Sequence, residues 1–244
     1  MKIKKLFIYT FLLGLITAAL FFYLKRNSVW EDNFLSYTVD TKSENIEFYW
    51  RDEYAKNFKS ILNLKTWLEA KNKKLTFAMN GGMFKKDNTP VGLYIQEQKT
   101  LTPIDTARGD GNFYLNPNGI FYITSDNQAV ICKTGNFSNT GNIKLATQSG
   151  PMLVFDGEIH PSFKQGSDNL NIRNGVGILP DNKVIFVMSK VEISFYDFAK
   201  YFKDLGCKNA LYLDGFVSRT YLPEKNWIQT DGDFGVIIGV TKDK

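Results

Sequence analysis

GVGILPDNKVIFVMS, residues 175–189, decides the fold. Two apolar runs, 175–179 and 183–189, flank Pro180-Asp181-Asn182. Val, Ile and Phe suit a buried pleated surface, and Pro, Asp and Asn suit a turn, so the stretch reads as a β-hairpin. Upstream, MLVFDGEIH (152–160) repeats the pattern about Asp156-Gly157, and IKLATQ (143–148) enters it through Ser149-Gly150-Pro151. NFYLNPNGIFYIT (112–124) reads as another hairpin about Pro117-Asn118-Gly119, with AVIC (129–132) as a short strand after it. Further out, FLSYTVD (34–40), NIEFYW (45–50), LTFAMN (75–80), VGLYIQE (91–97), NALYLDG (209–215) and FGVIIGV (234–240) also read as strands.

Two helices are expected among them. Residues 54–71 place Phe58, Ile61, Leu62 and Leu68 at near-helical spacing, with Lys65 the polar exception. From Ser194 to Gly206, Phe195, Phe198, Ala199, Phe202 and Leu205 make one apolar face; Ser194 and Asp197 form a capping pair and Gly206 is the stop. Strands outnumber helices and come mostly as hairpins. The fold class is therefore α+β, a largely antiparallel mixed sheet or sheets with a few packed helices. The G-x-G-x-x-G of a dinucleotide site and the G-x-S-x-G of a serine hydrolase elbow are both absent.

The amino terminus reads differently. Lys2, Lys4 and Lys5 precede an uncharged run, LFIYTFLLGLITAALFFYL (6–24), closed by Lys25 and Arg26. About 20 apolar residues span a bilayer as a helix. Ala18 and Ala19 are followed by more Leu, Phe and Tyr, which spoils a cleavage site, so an uncleaved signal-anchor is expected over a cleaved signal peptide. The organisation expected is a membrane segment at 1–26, a tether at 27–33 and a single domain at 34–244, placed outside the cytoplasm. The formal charge of +5 belongs to this end: five of the 30 basic residues lie in 1–26 with no acid, leaving 25 basic against 25 acidic residues in the remainder. A nucleic-acid partner gains no support from such a balance. Cys132 and Cys207 lie in the exported part, where they either pair or remain separate buried thiols. Two cysteines and one histidine make no Cys/His zinc site without carboxylates.

Several strands end in polar residues beside glycine: Asn80-Gly81-Gly82, Gln148-Ser149-Gly150, Arg173-Asn174-Gly175 and Asp214-Gly215. Glycine lets backbone approach a ligand, and its N–H groups can cradle phosphate oxygens. Arginine matches phosphate with a planar fork, and a carboxylate can serve as base, nucleophile or metal ligand. Polar–Gly pairs are also what ordinary turns are made of. Asp110, Asp156, Glu158 and Asp181 lie in such turns and read as solvated.

LTFAMNGGMF, PVGLYIQ, NFYLNPNGIF, ATQSGPMLVFDGEIHPSF, IRNGVGIL, FYDFAKYFKDLGCKNALYLDG and FGVIIGV, in that order over about residues 75–240, resemble the phosphodiester glycosidase family and its bacterial exported branch. The resemblance implies an enzyme that cuts a sugar from a phosphodiester-linked partner. It implies one cleft, with Arg173 gripping phosphate and Asp214 at its base. Asn80, Gly81 and Gly82 would orient substrate. Gln148, Ser149 and Gly150 would form the opposite wall, with Asn174, Gly215 and Ser218 nearby. His160, the only histidine, enters as a catalytic candidate because GEIHPSF lies in the matching stretch; a lone histidine is otherwise more often structural. A divalent cation, calcium or magnesium, could be held by Asp214. Phe216 and Val217 depart from the small residues usual after the Asp-Gly pair, which bears on the sugar accepted. Two rivals use the same cleft: a non-catalytic glycan-binding module with Trp227 or Tyr221 as platforms, and a phosphodiesterase that cuts P–O instead of C–O.

Overall fold

A computed structural model describes residues 30–214 and 217–244. The chain divides into two compact units, 1–35 and 36–244. In the first, Trp30 meets Phe34 edge-on with ring centroids 5.5 Å apart. The expected membrane segment at 1–26 and the start of the tether lie outside the described residues. Among those described, no helix is long and apolar enough to cross a membrane.

The second unit is α+β. Its strands form three sheets. One runs in the order β1 (Phe34–Val39), β12 (Val184–Ser189), β11 (Asn174–Ile178), β13 (Ala210–Tyr212), β9 (Met152–Phe155) and β10 (Glu158–Ile159). Another runs β15 (Trp227–Ile228), β14 (Thr220–Leu222), β3 (Lys73–Asn80), β16 (Ile237–Asp243) and β2 (Ile46–Tyr49). The last runs β5 (Lys99–Thr102), β4 (Tyr94–Gln96), β8 (Ile143–Ser149), β6 (Gly119–Thr124) and β7 (Ala129–Lys133). Pairings within β2 to β16 are antiparallel, as the hairpins predict.

Aromatic rings join the three sheets. Phe186 of β12 lies 5.2 Å from Phe77 of β3 and 6.0 Å from Phe121 of β6, centroid to centroid. Phe48 of β2 meets Phe121 at 5.8 Å, and Tyr37 stacks on Phe77 at 4.5 Å. The four phenylalanines are fully buried. Alternation along each strand points rings from all three sheets into this shared core.

Helix α1 (Ile61–Ala70) covers β3 with Ile61, Leu64 and Leu68. It is shorter than the 54–71 read from spacing. Ser60 caps it by accepting from Asn63 N at 3.2 Å, and Lys59 adopts a left-handed φ of 63°. Asp52 Oδ1 holds Tyr54 N and Lys56 N in a turn instead. Phe58 still packs against α1, which is why it matched the helical period. The 112–124 hairpin also needs correction. Asn112–Tyr114 is one 3-10 turn, and β6 takes β7 as its hairpin partner.

Helix α2 (Phe195–Asp204) behaves as its sequence predicts. Ser194 accepts from Asp197 N and donates to Asp197 Oδ2, and Gly206 leaves the helix at φ +83°. Its rings explain the glycines of β11. A Cβ on Gly175 would lie 3.3 Å from Phe198, and one on Gly177 would lie 2.7 Å from Phe202 and 2.8 Å from Cys207 Sγ. Residues 175 and 177 share one face of the strand, and the helix packs directly on it. Gly177→Val is therefore expected to destabilise the protein by about 1–3 kcal/mol through overpacking, read as a lower midpoint in urea with an unchanged slope.

Candidate active site

Asn80 ends β3 and Asn174 begins β11, so the two residues bring two sheets together. Both are fully buried. Asn174 Nδ2 donates to Asn80 Oδ1 at 2.8 Å and to Asn80 O at 3.1 Å. Asn174 Oδ1 accepts from Asp214 N at 2.8 Å, and Asn80 Nδ2 donates to Asp214 O at 3.3 Å. Ser218 Oγ donates to the same Asp214 carbonyl at 2.9 Å. Both backbone groups of Asp214 are thus held by side chains from three separate segments. The residue itself is 9 % exposed. Ser149, at the end of β8, donates from Oγ to Leu213 O at 2.6 Å. Asn80, Ser149, Asn174, Asp214 and Ser218 therefore gather in one cluster. Gly215 and Phe216 lie outside the described residues.

Strand alternation divides the Gln148-Ser149 pair. Thr147 and Ser149 face the cluster, Thr147 donating from Oγ1 to Gly81 O at 3.2 Å. Gln148 points the other way. Its Oε1 accepts from Leu93 N and Asp105 N, and its Nε2 donates to Asp105 O at 2.6 Å. It braces the loop carrying Asp105 and stands apart from Asp214. A cavity of about 580 Å³ opens on that side, lined by Phe84, Lys85, Ile104, Asp105 and Tyr114 among others.

The glycines are close-packed. A Cβ on Gly81 would lie 2.3 Å from Ile238, and one on Gly150 would lie 2.7 Å from Asn118. The Gly81 N–H donates to Val236 O at 2.9 Å. Gly82 turns the chain at φ +114°, with Thr147 Oγ1 against the position of a Cβ.

Arg173 is 1 % exposed. Register in β11 and β13 pairs Gly175 with Tyr212, and Arg173 is the residue just before β11. Its guanidinium is committed elsewhere. Nε donates to Ile193 O at 2.8 Å, Nη2 donates to Asn169 O at 2.8 Å, and the plane stacks 3.6 Å over Phe195. Burial lowers its pKa, offset in part by Tyr212.

His160 continues this stack from the far end. It lies 4.8 Å from Phe163, which lies 4.8 Å from Phe195, both pairs nearly parallel. Nδ1 accepts from Ser162 N at 3.1 Å, so Nε2 carries the proton and donates to Asn116 O at 2.9 Å. Both nitrogens hold backbone, away from the Asp214 cluster. Burial lowers the imidazole pKa, against a smaller upward pull from the Asn116 carbonyl.

Cys132 and Cys207 are free thiols, and burial pushes them up to about 11 and about 12. Tyr221 belongs to the core under α1, so it offers no platform to a glycan. Among the described residues no three His, Cys, Asp or Glu gather to hold a metal ion. The Asn80 and Asn174 amide oxygens already accept N–H groups, so the cluster supplies one carboxylate, a poor donor set for calcium or magnesium. Thr147 and Arg219 join the cluster without having been singled out in the sequence. Thr147 had a signal, since it lies two residues before Ser149 on one strand face.

Because His160 is the only histidine, its linkage can be read directly. Its folded pKa is depressed, so below about 6.5 the unfolded chain takes a proton that the native ring resists. Thermal melting of untagged protein should show stability falling from pH 7.5 to 5.5, and His160→Gln should flatten that difference.

The phosphodiester glycosidase family profile matches residues 73–240. Uncharacterized protein YigE of Escherichia coli is 34 % identical over 188 residues, covering 77 % of this chain and 73 % of that one. Among solved structures, the catalytic domain of zebrafish N-acetylglucosamine-1-phosphodiester alpha-N-acetylglucosaminidase, auto-inhibited by its pro-peptide, superposes with a TM-score of 0.60 at 16 % identity, over 85 % of this chain and 82 % of that one. A hypothetical protein from Synechocystis gives a TM-score of 0.53 at 15 % identity, over 85 % of this chain and 59 % of that one. At such identities these two structures speak to the fold, which is shared; the family profile and the Escherichia coli relative speak to descent. The chain belongs to the phosphodiester glycosidase family.

Proposed function

We propose that this protein hydrolyses sugar-1-phosphodiesters in glycans or cell-envelope material, outside the cytoplasm, on a membrane anchor formed by 6–24. The observation that carries the reading is the clamp on Asp214, whose N–H and C=O are both held by buried side chains. Fixing a carboxylate's backbone from three segments costs conformational freedom, and a reacting group gains most from such positioning.

In this reading Asp214 activates water, or itself attacks, at the anomeric carbon. The C–O bond breaks and a phosphate monoester leaves. That leaving group is already a good one, so neutralising its charge matters more than protonating it. Arg173, the residue before the Asn174 that holds the Asp214 N–H, adds a buried positive charge to this part of the fold. Asn80 and Asn174 act as positioning residues.

The test uses the full chain in detergent with a panel of sugar-1-phosphodiesters in ¹⁸O water. Label should enter the sugar; label in phosphate would instead mean P–O cleavage. Asp214→Asn should lower turnover about 10²–10⁴-fold with the fold retained by circular dichroism. No turnover on any panel member, with glycan binding indifferent to Asp214→Asn, would transfer the case to a binding module. Asn174→Ala frees the Asp214 N–H and should lower kcat about 10–100-fold by loosening the carboxylate, with a smaller change in KM.

A further inference from the structure

Arg219 touches the cluster, and the proposed reaction leaves it without a role. Its backbone N–H donates to Asn80 Oδ1 at 2.9 Å, the oxygen that also accepts from Asn174. Its Nε lies 2.9 Å from each Asp231 carboxylate oxygen, and Nη1 donates to Ser218 O at 3.0 Å. The two side chains are 37 % and 65 % exposed. Arg219 immediately precedes β14, which pairs with the end of β3 through Thr220 and Met79. Asp231 lies in the segment leading to Val236, whose carbonyl takes the Gly81 N–H. The pair therefore stands on the rim at the same sheet end as the Asn80-Gly81-Gly82 turn.

The two site arginines are built for different work. Arg173 is 1 % exposed and gives Nε and Nη2 to carbonyls and its face to Phe195, so moving it out to meet a ligand would strip those carbonyls of their donors. A buried acceptor left unmade is costly. Arg219 holds one exposed carboxylate, and exposed ion pairs add little to stability. A phosphodiester presents two non-bridging oxygens much as Asp231 presents two carboxylate oxygens, and guanidinium binds either. We propose that Arg219 is the residue that binds the substrate phosphate, exchanging Asp231 for its non-bridging oxygens, and that Arg173 acts only from within the fold. This rests on the phosphodiester reading of the site.

Binding is tested apart from turnover. Inorganic phosphate is titrated calorimetrically into the full chain and into Arg219→Ala, Arg219→Lys and Asp231→Asn, each checked for folding by circular dichroism. Arg219→Ala should weaken phosphate binding about tenfold or more. Arg219→Lys should fall between, keeping charge without the fork. Asp231→Asn should tighten binding by removing the competing carboxylate. On any phosphodiester that is turned over, Arg219→Ala should raise KM more than it lowers kcat, while binding of the neutral methyl glycoside stays unchanged. Equal phosphate affinity in wild type and Arg219→Ala, weaker affinity in Asp231→Asn, or no phosphate binding by wild type would each overturn the assignment. If no phosphodiester is cut and Arg219→Ala still loses phosphate, the hydrolase reading fails and Arg219 remains a phosphate-binding residue without a substrate role. If substrates are cut and phosphate binding ignores Arg219, this one fails alone.

Discussion

The Asn80–Asn174 amide pair is the constraint on which the rest of the site depends. Two fully buried side chains from different sheets exchange an N–H···O bond, and every other amide atom of the pair is satisfied within the cluster. A buried amide without partners is expensive, so this arrangement tolerates one relative placement of β3 and β11. Asp214 is carried by that placement. Its backbone bonds both amides, and so its position is a consequence of how two sheets dock.

The docking is set in turn by apolar packing around it. Phe77, Phe121 and Phe186 supply one ring from each sheet to a common core, and α2 lies on the glycine face of β11. Hydrophobic burial gives the sheets a reason to meet but little orientation, because it is non-directional. The polar cluster supplies the direction. Arg173 contributes to the same end from beneath: its stack with Phe195, Phe163 and His160 ties β11 to α2 and to the segment after β10. The Arg173 guanidinium and the His160 imidazole, both catalytic candidates from the sequence, are held here by carbonyls, a backbone N–H and ring faces.

Much of this was legible along the chain. Hairpins at 152–160 and 175–189 and the helix after Ser194 were readable because turn chemistry, alternation and capping agree locally. Disagreement arose where tertiary contacts imitate local period. Phe58 matched the helical spacing of α1 because it packs on that helix from a turn. The short β14 and β15 carry too few residues to show alternation; β14 exists because β3 offers it an edge, and β15 because β14 does. At the site, polar residues beside glycine marked Asn80, Ser149, Asn174 and Asp214 correctly as strand ends. The same signal could not separate Gln148 from Ser149, since adjacent residues in a strand face opposite ways and only the neighbouring sheet decides which face meets the cluster.

The sequence by itself determined an α+β chain of antiparallel hairpins, its membership in the phosphodiester glycosidase family, and the candidate residues at the strand ends. The fold class and the strand ends follow from periodicities and short-range chemistry that need no partner, and the family from the resemblance of its segments taken in order. Only the tertiary structure decided that Asn80 and Asn174 clamp Asp214, that His160 and the Arg173 guanidinium are engaged with backbone and rings, and that Arg219 stands at the rim. Each depends on hydrogen bonds between residues tens of positions apart, and such bonds form only once the sheets have packed.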